Sequence, residues 1–448
     1  MPRKLDWLLS YPIPTEDSPV GLTPLSIMQP GAMFRARGLS VAYFDQRYDP
    51  PEMFDELVED ARNVGVSTFT GKQSGYASDL LWRAKEVNPK VRTHVGGHHA
   101  RLCTEDVRAE PHVDNVWPER WYGEEFFPWS EEDRRMWERG EVQYQTSRGC
   151  SYGCSFCALR SPWVPTSADR IEGELAQIAE LRGGLDEVSF TDPNIGQGFG
   201  RSEWLGERAG TFKLDRLQRM KDLGAVLRRL GIRWDGNVRS DYITPEYRDA
   251  IVESGCYSLE FGAESGDEHF LRHVIHKGHG VEAIRNANRL FQGTGVSIMN
   301  SFIVGMPRET SEQWHRTMDL IDWIHAECPD ARMSVYRYAP YPGGPAYADA
   351  VNGVNGYPRF IPPKTMKGWG GLQLMADNVY WCAGMCFRQD NSRKNFQGSD
   401  WGLIEPYIRL AEKLWRDRRP EDFPGDEVSR LIKAQVLKNN QRVAQEAA

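Results

Sequence analysis

Long hydrophobic runs are missing from this chain of 448 residues, and no stretch approaches the roughly 20 consecutive apolar residues that cross a bilayer. No membrane partner is expected. The opening segment, MPRKLDWLLSYPIP, has too short an apolar part and too much proline for a signal peptide, so a cytoplasmic setting is expected. Positive charge is also short: 55 Lys and Arg stand against 63 Asp and Glu, for a net charge of -8. Phosphate recognition normally needs a cationic surface, so nucleic acid is not an expected partner. The remaining composition, 40% hydrophobic and 26% charged, excludes disordered and fibrous classes and suggests two or three domains. Cysteine is sparse, with eight residues, and in a cytoplasmic setting a disulfide framework is not expected.

Those few cysteines are unevenly spread. Cys103, Cys256, Cys328, Cys382 and Cys386 are scattered or loosely paired, whereas Cys150, Cys154 and Cys157 fall within Cys-Ser-Tyr-Gly-Cys-Ser-Phe-Cys. Gly149 and Gly153 let the backbone wrap around something small. Structural zinc takes four ligands, and no fourth Cys or His follows at finger-like spacing. Three thiolates that leave one metal position open favour an iron-sulfur site over zinc or coincidence. Cys256 and Cys328 read as small buried hydrophobes. Cys382 and Cys386, four apart, share a helix face; packing is favoured there over a second metal site.

The organisation alternates. LDWLLSYP, LSVAYFDQ, VGVSTFTG and VRTHVGG read as strands, separated by helical patterns such as LTPLSIMQPGAMFRARG, with Leu25, Met28 and Ala32 at helical spacing. This predicts an α/β unit with a parallel sheet and right-handed crossovers, whose ligand lies at the strands' carboxyl ends. A connector at 116–140, rich in Trp and acid, leads to a second alternating series from Val142. VQYQTSRG, EVSFTDPN, IRWDGNVR, YSLEFGAES, SIMNSFIVGMP and RMSVYRYAP give six βα steps, a partial (β/α)6 barrel rather than a full eight-fold one. The expected division is 1–125 for the first domain, 126–350 for the barrel and 351–448 for a mostly helical C-terminal cap.

TSRGCSYGCSFC resembles the Cys-x3-Cys-x2-Cys loop of radical S-adenosylmethionine (SAM) enzymes. The resemblance covers about 140 to 350 and implies that Cys150, Cys154 and Cys157 hold a 4Fe-4S cluster whose fourth iron is chelated by SAM. It places Phe156 beside the adenine, Asp192 of VSFTDPN near SAM's amino group, and Asn237 and Arg239 of WDGNVRSD at a third-strand tip that meets the carboxylate. An Arg at a strand end is otherwise most often a structural ion pair. Glu264 and Ser265 end a segment like the family's fourth-strand motif, LEFGAESGD, and Gly305 of FIVGMPRET would let the backbone approach adenine.

The first domain resembles the Rossmann-like cobalamin-binding module fused to many of these enzymes. VSTFTGKQSGY resembles its third-strand loop, which implies that Thr70, Gly71, Lys72 and Gln73 face the lower side of cobalamin, with Lys72 or Gln73 near cobalt. THVGGHHA resembles its Gly-Gly-x-His loop, with Gly96, Gly97 and His98 as binding residues, although His98 and His99 are equally readable as surface histidines. No Asp-x-His-x-x-Gly stretch occurs, which implies cobalt without a lower-face histidine from that motif. A vestigial sheet that binds nothing is the bland alternative.

The family's usual scheme implies methyl transfer from SAM, via methylcobalamin, to an unreactive carbon of a natural-product or peptide-type substrate, with a flavodoxin or ferredoxin as external electron donor. Tyr336 and Tyr338, at the end of the sixth strand, are placed on the substrate side. A cyclase or rearrangement enzyme without methyl transfer is the alternative, and a non-catalytic cobalamin or redox sensor a further one. RNA methylthiolating enzymes share the cysteine loop, but the acidic balance and the missing RNA-binding module count against them.

Overall fold

The computed structural model describes residues 5–13, 22–117, 130–159, 161–201, 211–304, 306, 309–338, 341–354 and 360–370. The first sheet has the order β2-β1-β3-β4-β5, all parallel, from β1 (Leu5–Tyr11), β2 (Val41–Asp45), β3 (Ala61–Ser67), β4 (Arg92–Gly96) and β5 (Asn115–Val116). Between the strands run α1 (Leu25–Ala36), α2 (Pro51–Asp60), α3 (Lys72–Val87), and the short α4 (Gly97–Leu102) and α5 (Thr104–Arg108). Successive side chains of a strand point to opposite faces, and here that alternation separates two cores. Leu8 of β1 turns toward Phe44, Phe54, Val64 and Leu81, whereas Trp7 and Leu9 turn toward Met28, Met33 and Phe34 of α1. The second of these cores runs on without a break into the next domain.

A capped helix, α6 (Glu131–Trp137), joins the two. Ser130 and Asp133 form a reciprocal capping box, and Asp133 also accepts from Arg35 and from Tyr43 Oη at 2.7 Å. Arg135 donates to Tyr43 O at 2.7 Å, and Arg139 to Asp49 Oδ1 at 2.7 Å. Its other face, Met136 and Trp137, is buried in the shared core.

The barrel sheet has the order β15-β14-β13-β12-β9-β6, again all parallel. Its strands are β6 (Gln143–Tyr144), β9 (Glu187–Phe190), β12 (Arg233–Asn237), β13 (Cys256–Glu264), β14 (Ser297–Val304) and β15 (Arg332–Arg337). Its edge strands do not pair, so the six-stranded barrel is open. Two hairpins interrupt it: β7 (Ser147–Cys150) with β8 (Ser161–Pro165), and β10 (Phe199–Arg201) with β11 (Thr211–Lys213). Outer helices α7 (Ala168–Arg182), α8 (Arg216–Leu230), α9 (Pro245–Glu253), α10 (Val281–Phe291) and α11 (Ser311–Glu327) follow the strands. Their limits follow from local chemistry. Ser167, Asp215, Thr244 and Thr310 accept backbone N–H groups as N-caps, and Gly183 and Gly231 end α7 and α8 in the left-handed region. Ile171, Leu175 and Ile178 bury one face of α7, as their spacing predicts.

After α12 (Pro345–Asn352) the chain returns to the first domain. Helix α13 (Met366–Gly370) lies on α3: Ser74 Oγ donates to Met366 O at 2.9 Å, Met366 N to Glu110 Oε1 at 2.6 Å, and Trp369 Nε1 to Asp106 Oδ2 at 3.1 Å. Among the described residues no helix is long and apolar enough to cross a membrane. Gly305, Cys382, Cys386, much of the connector and the cap beyond residue 370 lie outside the described residues.

Candidate active site

The barrel's opening segment does not run straight into the cysteine loop as the sequence suggests. It breaks after β6, and Asp192, at the end of β9, is the cause: it accepts from Thr146 N and Thr146 Oγ1 at 2.8 Å each and from Ser147 Oγ at 2.5 Å. This turns the chain out of the barrel into β7. Asp192 is fully buried, and burial lifts its carboxyl above its ordinary range although the Ser147 and Thr146 donors pull the other way. Asp192 thus organises the loop from beneath, with both carboxyl oxygens accepting from the chain itself.

Hairpin β7–β8 carries Cys150 at its tip. Gly149 sits at φ +76, and a Cβ there would lie 2.1 Å from Pro162 O, so only glycine lets the two strands approach. Beyond it the loop is pinned from two sides: Ser155 N donates to Ile275 O at 2.8 Å, and Ala346 N, in the first turn of α12, to Ser155 O at 2.9 Å. The Ile275 carbonyl is presented by a single π-helical turn, Phe270–Val274, the kind of irregularity that recurs at functional sites. Phe156 is half-buried against the core.

Cys154 is buried, and Cys150 and Cys157 are half-buried. Burial raises the Cys150 thiol, and it pushes Cys157 up to about 11 against a hydrogen bond from Leu159 N to its sulfur at 3.4 Å. The three sulfurs are close enough to perturb one another electrostatically. Among the described residues no three ligating side chains converge on one point as they would around a single ion. Three cysteine thiolates form a donor set that fits an iron-sulfur cluster with one iron left open.

Positive charge stands behind the loop. Arg239 lies over the Tyr152 ring at 3.8 Å, between Cys150 and Cys154 in sequence, and its guanidinium is held by Asp241 Oδ1 at 2.9 Å and Lys277 O at 2.7 Å. The expected ligand-binding Arg is therefore also a structural ion pair. Lys277 Nζ donates to Glu264 Oε1 at 2.7 Å in a pair that is almost fully buried. Burial opposes the ammonium, but Glu264 and the Cys154 sulfur outweigh it and raise its pKa. Glu264 takes a left-handed φ of 64 at a register shift in β13, a strained position of the kind that collects at functional sites. A side chain on Gly262 would meet both members of the pair. His279 is buried beside them, and burial followed by the Lys277 and Arg239 charges lowers it to about 4. Lys277 and His279 were not read from the sequence; the available signal was the glycine spacing of Lys277-Gly278-His279-Gly280.

Other expected residues are placed differently. Asn237 is half-buried, and its Nδ2 donates to Asp192 O at 3.4 Å. Ser265 is fully buried, its hydroxyl paired with Thr317 Oγ1 and accepting from Asp267 N. Tyr338 is buried in the barrel core and Tyr336 packs against it.

A cleft of about 500 Å3 opens between the two domains. One wall is the carboxyl edge of the first sheet, with Ser67, Phe69, Gly96, Gly97 and His98; the other includes Gln145, Arg148, Gly149, Leu159 and Thr191 of the barrel. Gly97 has φ +89, and a Cβ there would come within 2.7 Å of Thr68 N, so the β4–α4 turn stays bare toward the cleft. His98 stands between the rings of Phe69 and Tyr341, 5.9 Å from each. The 70–73 loop turns away from the cleft. Gln73 staples Phe69 N to Pro12 O at 2.8 Å each, Thr70 Oγ1 meets His99 Nδ1 at 3.0 Å, Gly71 is the N-cap of α3, and Lys72 begins that helix. Gln73 and Thr70 are buried, and Phe69 lines the cleft. A bare glycine turn opposite a glycine-bearing cysteine hairpin fits a large cofactor held between the walls.

Comparison with known proteins finds two family matches in the chain. The B12 binding domain family matches residues 17–123, and the Radical SAM superfamily matches residues 144–321. An uncharacterised methyltransferase of Pyrococcus horikoshii is 26% identical over 207 residues, 44% of this chain and 39% of that one. Cytidylyl-2-hydroxyethylphosphonate methyltransferase of Streptomyces wedmorensis is 26% identical over 173 residues, 37% of this chain and 28% of its own length. The chain thus spans well under half of these curated relatives. The radical SAM methyltransferase TsrM of Kitasatospora setae, solved with cobalamin and a 4Fe-4S cluster bound, superposes with a TM-score of 0.59 at 12% identity over 98% of this chain and 100% of that one.

Proposed function

We propose that the chain, with a Radical SAM superfamily region at 144–321 and a B12 binding domain at 17–123, and with a 4Fe-4S cluster, SAM and cobalamin as cofactors, is a cobalamin-dependent radical SAM methyltransferase acting on an unreactive carbon of a natural-product or peptide-type substrate. The observation that supports this most is the single cleft bordered by the B12-type glycine turn on one side and the cysteine hairpin on the other. When bound, the cluster supplies reductive cleavage of SAM and cobalamin supplies a methyl carrier.

The chain's own contribution is placement and exclusion. Cys150, Cys154 and Cys157 hold the cluster, and Leu159 N stabilises the outermost thiolate. Glu264, Arg239 and Phe156, with Asn237 nearby, would border SAM, while Lys277 would neutralise part of the cluster's negative charge; Gly305 keeps only the role that the sequence resemblance implies. Gly96, Gly97 and His98 seat the corrinoid, and the buried aromatic wall of the cleft keeps water away from the reacting centres. Reduction of the cluster comes from an external donor such as flavodoxin or ferredoxin. The working division remains 1–125, 126–350 and 351–448.

The experiment is product analysis with methyl-labelled SAM on anaerobically reconstituted protein and candidate substrates, alongside iron, sulfide and cobalamin quantification. Label in the product supports the reading. Deoxyadenosine formed with no label in the product would sink it in favour of a cyclase or rearrangement enzyme, and a variant lacking all three thiols that kept its iron would overturn the cluster assignment.

A further inference from the structure

At the inner end of the cleft, on the face of β4 that looks toward α1, lies His94. Its Nε2 meets Asn63 Oδ1 at 3.1 Å, and Asn63 spends its own amide nitrogen on Asp6 O at 2.9 Å. The Asn63 amide is therefore fixed with its oxygen toward the ring, so Nε2 must carry the hydrogen and Nδ1 keeps its lone pair. That Nδ1 is buried and has no hydrogen-bond partner, in a residue only 8% exposed. Burial holds the ring neutral, with its pKa lowered to about 4. A buried acceptor left unmet is costly, so its persistence points to a donor that arrives from outside.

The surroundings describe that donor. The Trp7 ring lies 4.6 Å from the imidazole and stacks on Phe34 at 4.3 Å, while Trp117 closes a third side at 5.6 Å. Gly65 lets the Leu9 and Trp7 side chains pack down onto the neighbouring strand, since a Cβ there would press on Leu9 at 3.0 Å. Aromatic walls around one lone pair form a receptor for a flat heteroaromatic ring with a single N–H pointed inward.

We propose that this inner arm takes the nucleotide base of the bound corrinoid and that His94 Nδ1 accepts a hydrogen bond from it, so that the protein prefers a corrinoid whose base bears an N–H donor. Adenine has such a donor in its exocyclic amine; dimethylbenzimidazole, the base of cobalamin, has none and reaches His94 only through a water. The inference rests on the placement of the corrinoid in the cleft. The same aromatic chemistry could be presented by a substrate, and the test separates the two.

Equilibrium binding is measured on the full chain by quenching of its tryptophan fluorescence, with cobalamin, adeninylcobamide and cobinamide, which lacks the base. Adeninylcobamide is expected to bind about 3–10-fold tighter than cobalamin, the worth of one hydrogen bond, and both tighter than cobinamide. His94→Leu should erase the difference between the two complete corrinoids while leaving cobinamide affinity unchanged, which also reports an intact fold. Asn63→Leu, which removes the acceptor that fixes Nε2–H, should narrow it with the imidazole still present. A base preference that survives both variants overturns the inference, as do three equal affinities or displacement of quenching by free tryptophan instead of by the base. If none of the three corrinoids binds, it is the placement of the corrinoid in the cleft that falls.

Discussion

Replacing Lys277 by Met keeps the length of the side chain but leaves the Glu264 carboxylate alone. The two charges lie 2.7 Å apart with side-chain exposures of 9% and 7%, so solvent does little to screen them. At an effective dielectric near 20 their gross attraction is about 6 kcal/mol. Part of that is offset by the desolvation of both ions, and removing one partner of such a pair costs about 3–5 kcal/mol because the other charge stays buried. In a barrel of this size that corresponds to a fall in Tm of about 6–20 °C. Lys277→Met combined with Glu264→Gln should regain much of the loss, since the stranded charge is then gone. Urea denaturation and thermal melts of wild type, both single variants and the double variant form the cycle. A Lys277→Met protein within about 1 kcal/mol of wild type, or a double variant as unstable as the sum of the singles, would refute the claim that this pair braces the end of β13.

Three further outcomes follow from the same geometry. Gly149→Ala should force the β7–β8 hairpin open at Pro162 and abolish iron incorporation while far-UV circular dichroism stays near wild type; full iron content in that variant would contradict the hairpin's role. Asp133→Ala removes the shared acceptor of Arg35, Tyr43 and the α6 cap and should cost about 3–5 kcal/mol, seen as an early transition in urea. Acid should weaken the first domain through His94 and His99, whose folded pKa values are about 4 and about 3 against an ordinary 6.5. The unfolded chain binds more protons below pH 6.5, so this stability is present above that pH and is lost as pH falls toward 4 and 3. At pH 5 the loss is about 2 kcal/mol for each histidine. A His94→Gln, His99→Gln protein with an unchanged difference in melting temperature between pH 7 and pH 5 would show that the two rings are not responsible.

Much of the architecture is legible because it is periodic. Ile171, Leu175 and Ile178, or the alternation of Leu8 against Trp7 and Leu9, declare which face is buried before any partner is known. The cysteine loop is legible because its ligands are adjacent in sequence. What escaped is set by contacts between distant residues. Asp192 looks like a ligand at a strand end, yet Thr146 and Ser147, more than forty residues earlier, claim its oxygens. Gln73 sits in the expected loop but turns inward to Pro12, and Tyr338 carries a hydroxyl at a strand tip but belongs to the core. Lys277 belongs to no motif and matters only because a π-helical turn brings it back to Glu264. Chain chemistry names the residue types at strand ends; which of them face the cleft depends on partners that no local pattern specifies.

The return of α13 to α3 gives the two walls of the cleft a second covalent crossing besides the α6 strap. Among the described residues the chain joins the walls at these two places and a shared core is packed between them, so their spacing is braced by covalent and apolar contacts together. A ligand held between the walls would then meet both of them at a spacing that the protein itself sets. A protease cut in either crossing alone would leave both halves travelling together while releasing the constraint on their spacing.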